Sequence, residues 1–155
     1  MNKEEELMYN FRDLFNKIAY LNKFEMEEAL KGLTSTEVHC IEAIEENKDP
    51  NVRKLAETLY MTRGAISKLT KRLMKKELIE SYRKEDNKKE IYFKLTDSGK
   101  AIFDTHEQLH AKFQKRDEKV FEEMDDTQYQ SMMDFINQYR THLNEEIKKQ
   151  NRTIN

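Results

Sequence analysis

"NVRKLAETLYMTRGAISKLTKRLMKKELIE", residues 51 to 80, carries two helical rhythms broken by one short turn. Val52, Leu55, Ala56 and Leu59 recur at the spacing of one helix face, and Ile66, Leu69 and Leu73, with Ala65 beside them, do so again. Between the two, Tyr60 and Met61 make a turn, and Thr62 is a hydroxyl cap for the second helix. Ahead of the first, Asp49 and Pro50 of "NKDPN" supply an N-cap and a proline at the first helical position. Opposite its apolar face, the second helix carries Arg63, Gly64, Ser67, Lys68, Lys71 and Lys75. It is either a solvated charged helix or one built to lie against a polyanion.

From Ile79 the period changes to two. "LIESYR" and "EIYFKL" alternate as strands joined by a polar, flexible tip, "KEDNKKE", with Ile91, Phe93 and Leu95 on one face. Upstream, Leu7, Phe11, Leu14, Ile18 and Leu21 follow one another at steps of 4, 3, 4 and 3, a helix over 5–30 with a coiled-coil-like seam that "KGL" ends. A second helix, about 35–46, is capped by Thr34 or Ser35 and buries Val38, Ile41 and Ile44. Downstream, "TDSG" opens a long helix at about 97–123, and "DDTQ" caps a last one at about 126–149. Met132, Ile136, Tyr139, Leu143 and Ile147 line the buried face of that last helix, and "KKQNRTIN" reads as a frayed tail. With 3 Gly and 1 Pro in 155 residues, a mostly helical single domain is expected.

No apolar run is long enough to span a bilayer, and the acidic start lacks the order of a signal peptide, so the expectation is a cytoplasmic protein with no membrane partner. The single cysteine, Cys40, excludes an intramolecular disulfide. It stands on an apolar-facing helix, which favours inert packing over redox sensing. The net charge of -2 conceals a division: residues 51–94 hold 13 Lys and Arg against 6 Asp and Glu, a local charge of +7, and the rest of the chain is acidic. A basic module between acidic arms is the footprint of a polyanion-binding unit.

Two short helices, a tight turn and a basic hairpin make a winged helix-turn-helix. The N-terminal residues of its second helix reach base edges in a major groove, which assigns Thr62, Arg63, Gly64, Ala65, Ser67 and Lys68 to the bases of double-stranded DNA. Lys71 and Arg72 suit phosphate, Asn87, Lys88 and Lys89 at the hairpin tip suit a minor groove, and Lys75 and Lys76 complement the helix dipole or graze phosphate. The terminal helices, with Leu7, Phe11, Leu14 and Ile18 on one and Ile136, Tyr139 and Leu143 on the other, need a partner surface and point to a homodimer. The simpler alternative is that they pack on each other within one chain.

"LTSTEVHCIEAI", the 51–80 stretch and "YRKEDNKKEIYFKLTDSGK" together resemble the MarR family of bacterial transcriptional regulators over nearly the whole chain. The resemblance implies a single MarR-like domain over 1–155, with dimerisation helices at 1–33 and 120–155, a DNA-binding lobe at 34–96 and a long connecting helix at 97–123. It further implies a homodimer whose terminal helices intertwine, reading an inverted repeat as a repressor modulated by an effector. One departure concerns the wing tip, where the family's Asp-x-Arg is replaced by Asp86, Asn87 and Lys88.

"HEQLH", residues 106–110, matches the H-E-x-x-H pattern of zinc hydrolases, but no third ligand has a supporting motif, and the chain is not expected to be an enzyme. There is also some resemblance to the zinc-responsive AdcR/ZitR branch of the same family, carried by "LTSTEVH", by the two histidines after "LTD" and by "NKFE". It implies Glu25, His39, His106 and His110 as a zinc site. The family also implies a small phenolic ligand as another kind of effector, for which Tyr20, Phe24, Phe103 and Phe113 are candidate lining residues. A helical interaction protein that never touches DNA is the remaining alternative.

Overall fold

A computed structural model of the chain describes residues 1–150. Six helices and one hairpin follow in the order α1 (Lys3–Ala29), α2 (Ser35–Glu46), α3 (Val52–Leu59), α4 (Arg63–Lys75), β1 (Ile79–Lys84), β2 (Asn87–Leu95), α5 (Asp97–Glu122) and α6 (Asp126–Lys149). The last five residues of the expected frayed tail lie outside the described residues. Each long helix starts where a side chain takes up orphan amides: Asn2, Thr34 and Asp125 each form a reciprocal capping box, and Thr62 and Thr96 cap α4 and α5. No helix of the described residues is long and apolar enough to cross a membrane.

The core is the lobe formed by α2, α3, α4 and the hairpin. Ile41, Leu55, Ile66, Leu69 and Leu73 are at most 1% exposed and are joined by Ile44, Ala56, Ile79, Phe93 and Leu95. The inward face of α4 is thus filled as its periodicity predicts. Ion pairing helps hold α4 at its far end. The buried Glu37 of α2 accepts from Lys76 Nζ at 2.7 Å, and the same ammonium donates to Gly32 O at 3.0 Å. Burial raises the Glu37 carboxyl pKa, but the Lys76 ammonium and the Thr34 cap outweigh it and leave it lowered. Lys76, its side chain 39% exposed, is therefore engaged by Glu37 and Gly32 within the chain.

Three expectations about local structure are corrected. The cap of α3 is Asn51, not Asp49: its Oδ1 accepts from Lys54 N at 2.9 Å. Pro50 O accepts from Phe93 N at 2.9 Å, so the chain is still extended alongside β2 at the point where a helix was expected. Second, the hairpin tip is not a flexible seven-residue loop. Lys84 pairs with Asn87, which leaves only Glu85 and Asp86 in the turn. Third, Ile91 stays 42% exposed, whereas Tyr92 on the opposite strand face is buried, stacked on Tyr82 and bridged to Asn51.

The stripes of α1 and α6 are apolar but uncovered. No residue of either helix is buried, and Met132, Ile136, Leu143 and Ile147 are 41–50% exposed where a buried face was expected. Leu7, Leu14 and Ile18 are likewise exposed, Phe11 and Tyr139 half so. The alternative in which the two helices bury each other within one chain does not occur.

Candidate nucleic-acid interface

At the start of α4, Thr62 Oγ1 accepts from Ala65 N at 3.1 Å and fixes the direction in which the first turn points. Because Ile66, Leu69, Thr70 and Leu73 are locked in the core, the opposite side of α4 faces out: Arg63, Gly64, Lys68 and Lys71 are exposed, Ala65 and Ser67 half-buried. Gly64 would accept a Cβ without meeting any atom within 4 Å, so nothing in the fold requires a glycine there.

Elsewhere in the lobe four cations are paired with carboxylates. Arg53 pairs with Glu57, Lys76 with Glu37, Lys84 with Asp49 and Lys94 with Glu80. Among the described residues Arg63, Lys68, Lys71, Lys88 and Lys89 make no ion pair. These five stand on the outer face of α4 and at the hairpin tip, where a duplex would lie. Asn87, Lys88 and Lys89 are exposed at that tip, and a register shift after Tyr82 lets the Arg83 guanidinium fold over and donate to Lys88 O. Arg83 was missed in the sequence: its position in a predicted strand gave no sign that its side chain reaches the tip.

The implied metal ligands assemble only in part. His106 is 4% exposed; its Nε2 lies 3.0 Å from His110 Nε2, and its Nδ1 lies 3.1 Å from Glu42 Oε2. That last contact is out of line for a hydrogen bond, which leaves Nδ1 without a partner. Burial, reinforced by His110 beside it, pushes the His106 pKa down and favours the neutral ring. Glu25 instead binds Lys112 Nζ at 2.6 Å, and His39 is exposed outside the group, near enough only to act on His106 electrostatically. Glu42, which nothing in the sequence marked, takes the carboxylate position, and Glu42, His106 and His110 bring ligand atoms within 4.8 Å of one another.

The two other effector candidates fare less well. Cys40 is fully buried and its thiol is pushed up to about 12 by that burial, far from a reactive thiolate. Tyr20 and Phe24 are 83% and 74% exposed while Phe113 is buried, so the four aromatic candidates do not share one environment. An apolar hollow of about 460 Å³ lies elsewhere, between α1, the turn residue Tyr60 and α6, with Phe15, Phe135 and Leu143 among its lining residues.

Comparison with known proteins agrees with this geometry. The family profile described as "MarR family" matches residues 33–91. The HTH-type transcriptional regulator PchR of Bacillus subtilis is 32% identical over 122 residues, which cover 79% of this chain and 71% of PchR. Among solved structures, Streptococcus pneumoniae FabT in complex with DNA superposes with a TM-score of 0.78 at 19% identity, over 92% of this chain and 99% of that one. The adhesin competence repressor AdcR of Streptococcus pyogenes does so with 0.66 at 20%, over 88% and 97%. These two likenesses establish the winged helix-turn-helix fold. Membership of a family of regulators also removes the zinc-hydrolase reading of "HEQLH". The chain belongs to the MarR family of DNA-binding transcriptional regulators.

Proposed function

We propose that the protein is a homodimeric repressor that reads an inverted-repeat DNA site, α4 entering the major groove and the β1–β2 wing following the backbone into the flanking minor groove. The observation that carries this reading is where exposed cations without an ion pair gather: Arg63, Lys68 and Lys71 stand on the outer side of α4 and Lys88 and Lys89 at the wing tip, while Arg53, Lys76, Lys84 and Lys94 are paired with carboxylates. Arg63 is the residue for bidentate contact with guanine, and Thr62, Gly64, Ala65, Ser67 and Lys68 form the rest of the base-reading surface. Lys71, Asn87, Lys88 and Lys89 hold phosphates or line the minor groove. A dimer seated across a promoter blocks polymerase, which makes repression the direct consequence, and such a protein works in the cytoplasm. The uncovered stripes of α1 and α6, with the hollow between them, fit a second copy of the chain.

Binding falls steeply with salt on this reading, because each phosphate contact releases counterions. Arg63→Ala relaxes sequence preference at one base pair and costs about 1–3 kcal/mol on the best site, whereas Lys88→Ala weakens all duplexes alike and lowers the salt slope by about one. Binding isotherms on selected and scrambled duplexes at several salt concentrations separate the two. Salt-independent binding, or none to any duplex, would sink the proposal.

A second reading concerns the effector and rests on the Glu42–His106–His110 group. Two Nε2 atoms 3.0 Å apart are close to the roughly 3.3 Å edge that two Zn–N bonds of about 2.0–2.1 Å span at a tetrahedral ion. The two Nε2 atoms would hold a zinc ion on α5, and Glu42 of α2, at His106 Nδ1, would orient that ring from behind. Its ligand set is not the implied one, since Glu25 and His39 stand outside. Direct zinc titration followed by a DNA-binding assay tests it: His110→Ala should abolish zinc uptake and any zinc effect on DNA affinity, and Glu25→Ala should change neither. Zinc-indifferent protein leaves the histidines as a packed polar pair.

A further inference from the structure

The wing is fastened to the helix-turn-helix by a short stretch that enters no helix. Pro50 O accepts from Phe93 N at 2.9 Å and Asn51 bridges Tyr92, so residues 50–51 act as a third, strand-like edge against the inner part of β2. Asn51 Nδ2 adds a bond to Glu90 Oε1 at 3.0 Å. One position earlier, Asp49 takes the left-handed conformation (φ 50°), which Asp tolerates better than most residues. That turn aims its carboxylate at the outer part of β1: Oδ1 accepts from Tyr82 OH at 3.1 Å and Oδ2 from Lys84 Nζ. Lys54 Nζ holds the turn itself through Lys48 O at 3.0 Å and Asp49 O at 3.2 Å. Lys84 also lies over the Tyr92 ring, 5.1 Å from its centroid. Lys84 is the last residue of β1, and only a two-residue turn and the basic tip lie beyond it. A two-stranded hairpin by itself is marginal in water, so what it is tied to decides where its tip stands.

We propose that Asp49 is a positioning residue for DNA binding: its carboxylate pins the outer wing to the start of α3 and so sets where Arg83, Lys88 and Lys89 stand relative to α4. The inference rests on the DNA-reading function proposed above. It makes a prediction opposite in sign to simple electrostatics. Asp49 is an anion bordering the 51–94 module of charge +7, and removing an anion beside a polyanion strengthens binding to every duplex if charge is all that matters. If the carboxylate positions the wing, removing it weakens specific binding, because the loose tip must be ordered on the DNA.

The probe is a duplex that the wild-type protein selects from a random-sequence pool. Asp49→Ala should bind it about tenfold more weakly, and its hydroxyl-radical footprint should lose the outer flanks while keeping the centre of each half-site. Asp49→Asn, which keeps an acceptor for Tyr82, should fall between, and Asp49→Lys combined with Lys84→Asp should recover the flanks. In the absence of DNA, the Phe93 amide should exchange faster in Asp49→Ala than in the wild type. Equal or tighter binding with an unchanged footprint, or an unchanged Phe93 exchange rate, overturns the positioning role. A wild-type protein that selects no duplex overturns the DNA-reading function, and the exchange rates then still decide whether Asp49 fastens the wing.

Discussion

Replacing Ile136 and Leu143 together by Glu is expected to give a folded monomer whose affinity for its inverted repeat falls by about 10²–10⁴. Both side chains are more than 40% exposed in the single chain and α6 has no buried residue, so the lobe loses nothing when they become charged. In a dimer the same carboxylates are driven into an apolar interface without partners, where each costs several kcal/mol. Association fails, and the second reader is no longer held at high effective concentration beside its half-site. Sedimentation velocity and helicity by circular dichroism, with binding to full and half sites, check this. A variant that stays dimeric, or a wild-type chain that sediments as a monomer, would show that α6 does not form the interface.

Gly99→Ala is expected to be the most destabilising single-methyl change in the lobe. A Cβ at Gly99 would stand 2.0 Å from Leu78 O, 3.1 Å from Leu78 C and 3.3 Å from Leu95 Cβ. The obstacle is backbone, so no side-chain rotation relieves it. Leu78 O already accepts from Thr96 N at 3.1 Å, and Thr96 both caps α5 and donates to Glu77 O at 2.7 Å. Pushing this junction apart loosens the end of α4, the base of the wing and the start of α5 together. The cost should reach about 3 kcal/mol or more, the upper end for overpacking, which lowers the melting temperature by roughly 6–12 °C. Gly64→Ala is the control: with nothing within 4 Å and a helical backbone, it should stabilise by about 0.5–1 kcal/mol. A thermal melt that treats the two glycines alike would contradict the geometry.

How much was legible in the sequence follows from the range of the forces. The helices, their caps and the inward face of α4 depend on residues within a turn or two, and Thr34, Thr62 and Asp125 cap where their neighbours said they would. The exposure of Arg63 and Lys68 follows from the same rhythm that buries Ile66 and Leu69. The N-cap of α3 went wrong for a non-local reason: "DP" favours a helix start, but pairing with β2 keeps Pro50 and Asn51 extended and moves the cap to Asn51. Ion pairing was illegible for a similar reason. Lys76 and Lys88 look alike as sequence, yet one faces the buried Glu37 and the other faces solvent.

The sequence by itself determined that this chain carries a helix-turn-helix, a basic wing and two apolar terminal helices, because periodicity, capping and local charge are written in near neighbours. Only the tertiary structure decided which groups those elements bring face to face. Asp49 meets Lys84 across 35 positions and Glu37 meets Lys76 across 39, and Glu42 rather than Glu25 stands against His106. Contacts of that kind depend on how elements pack in space, and spacing along the chain does not encode them.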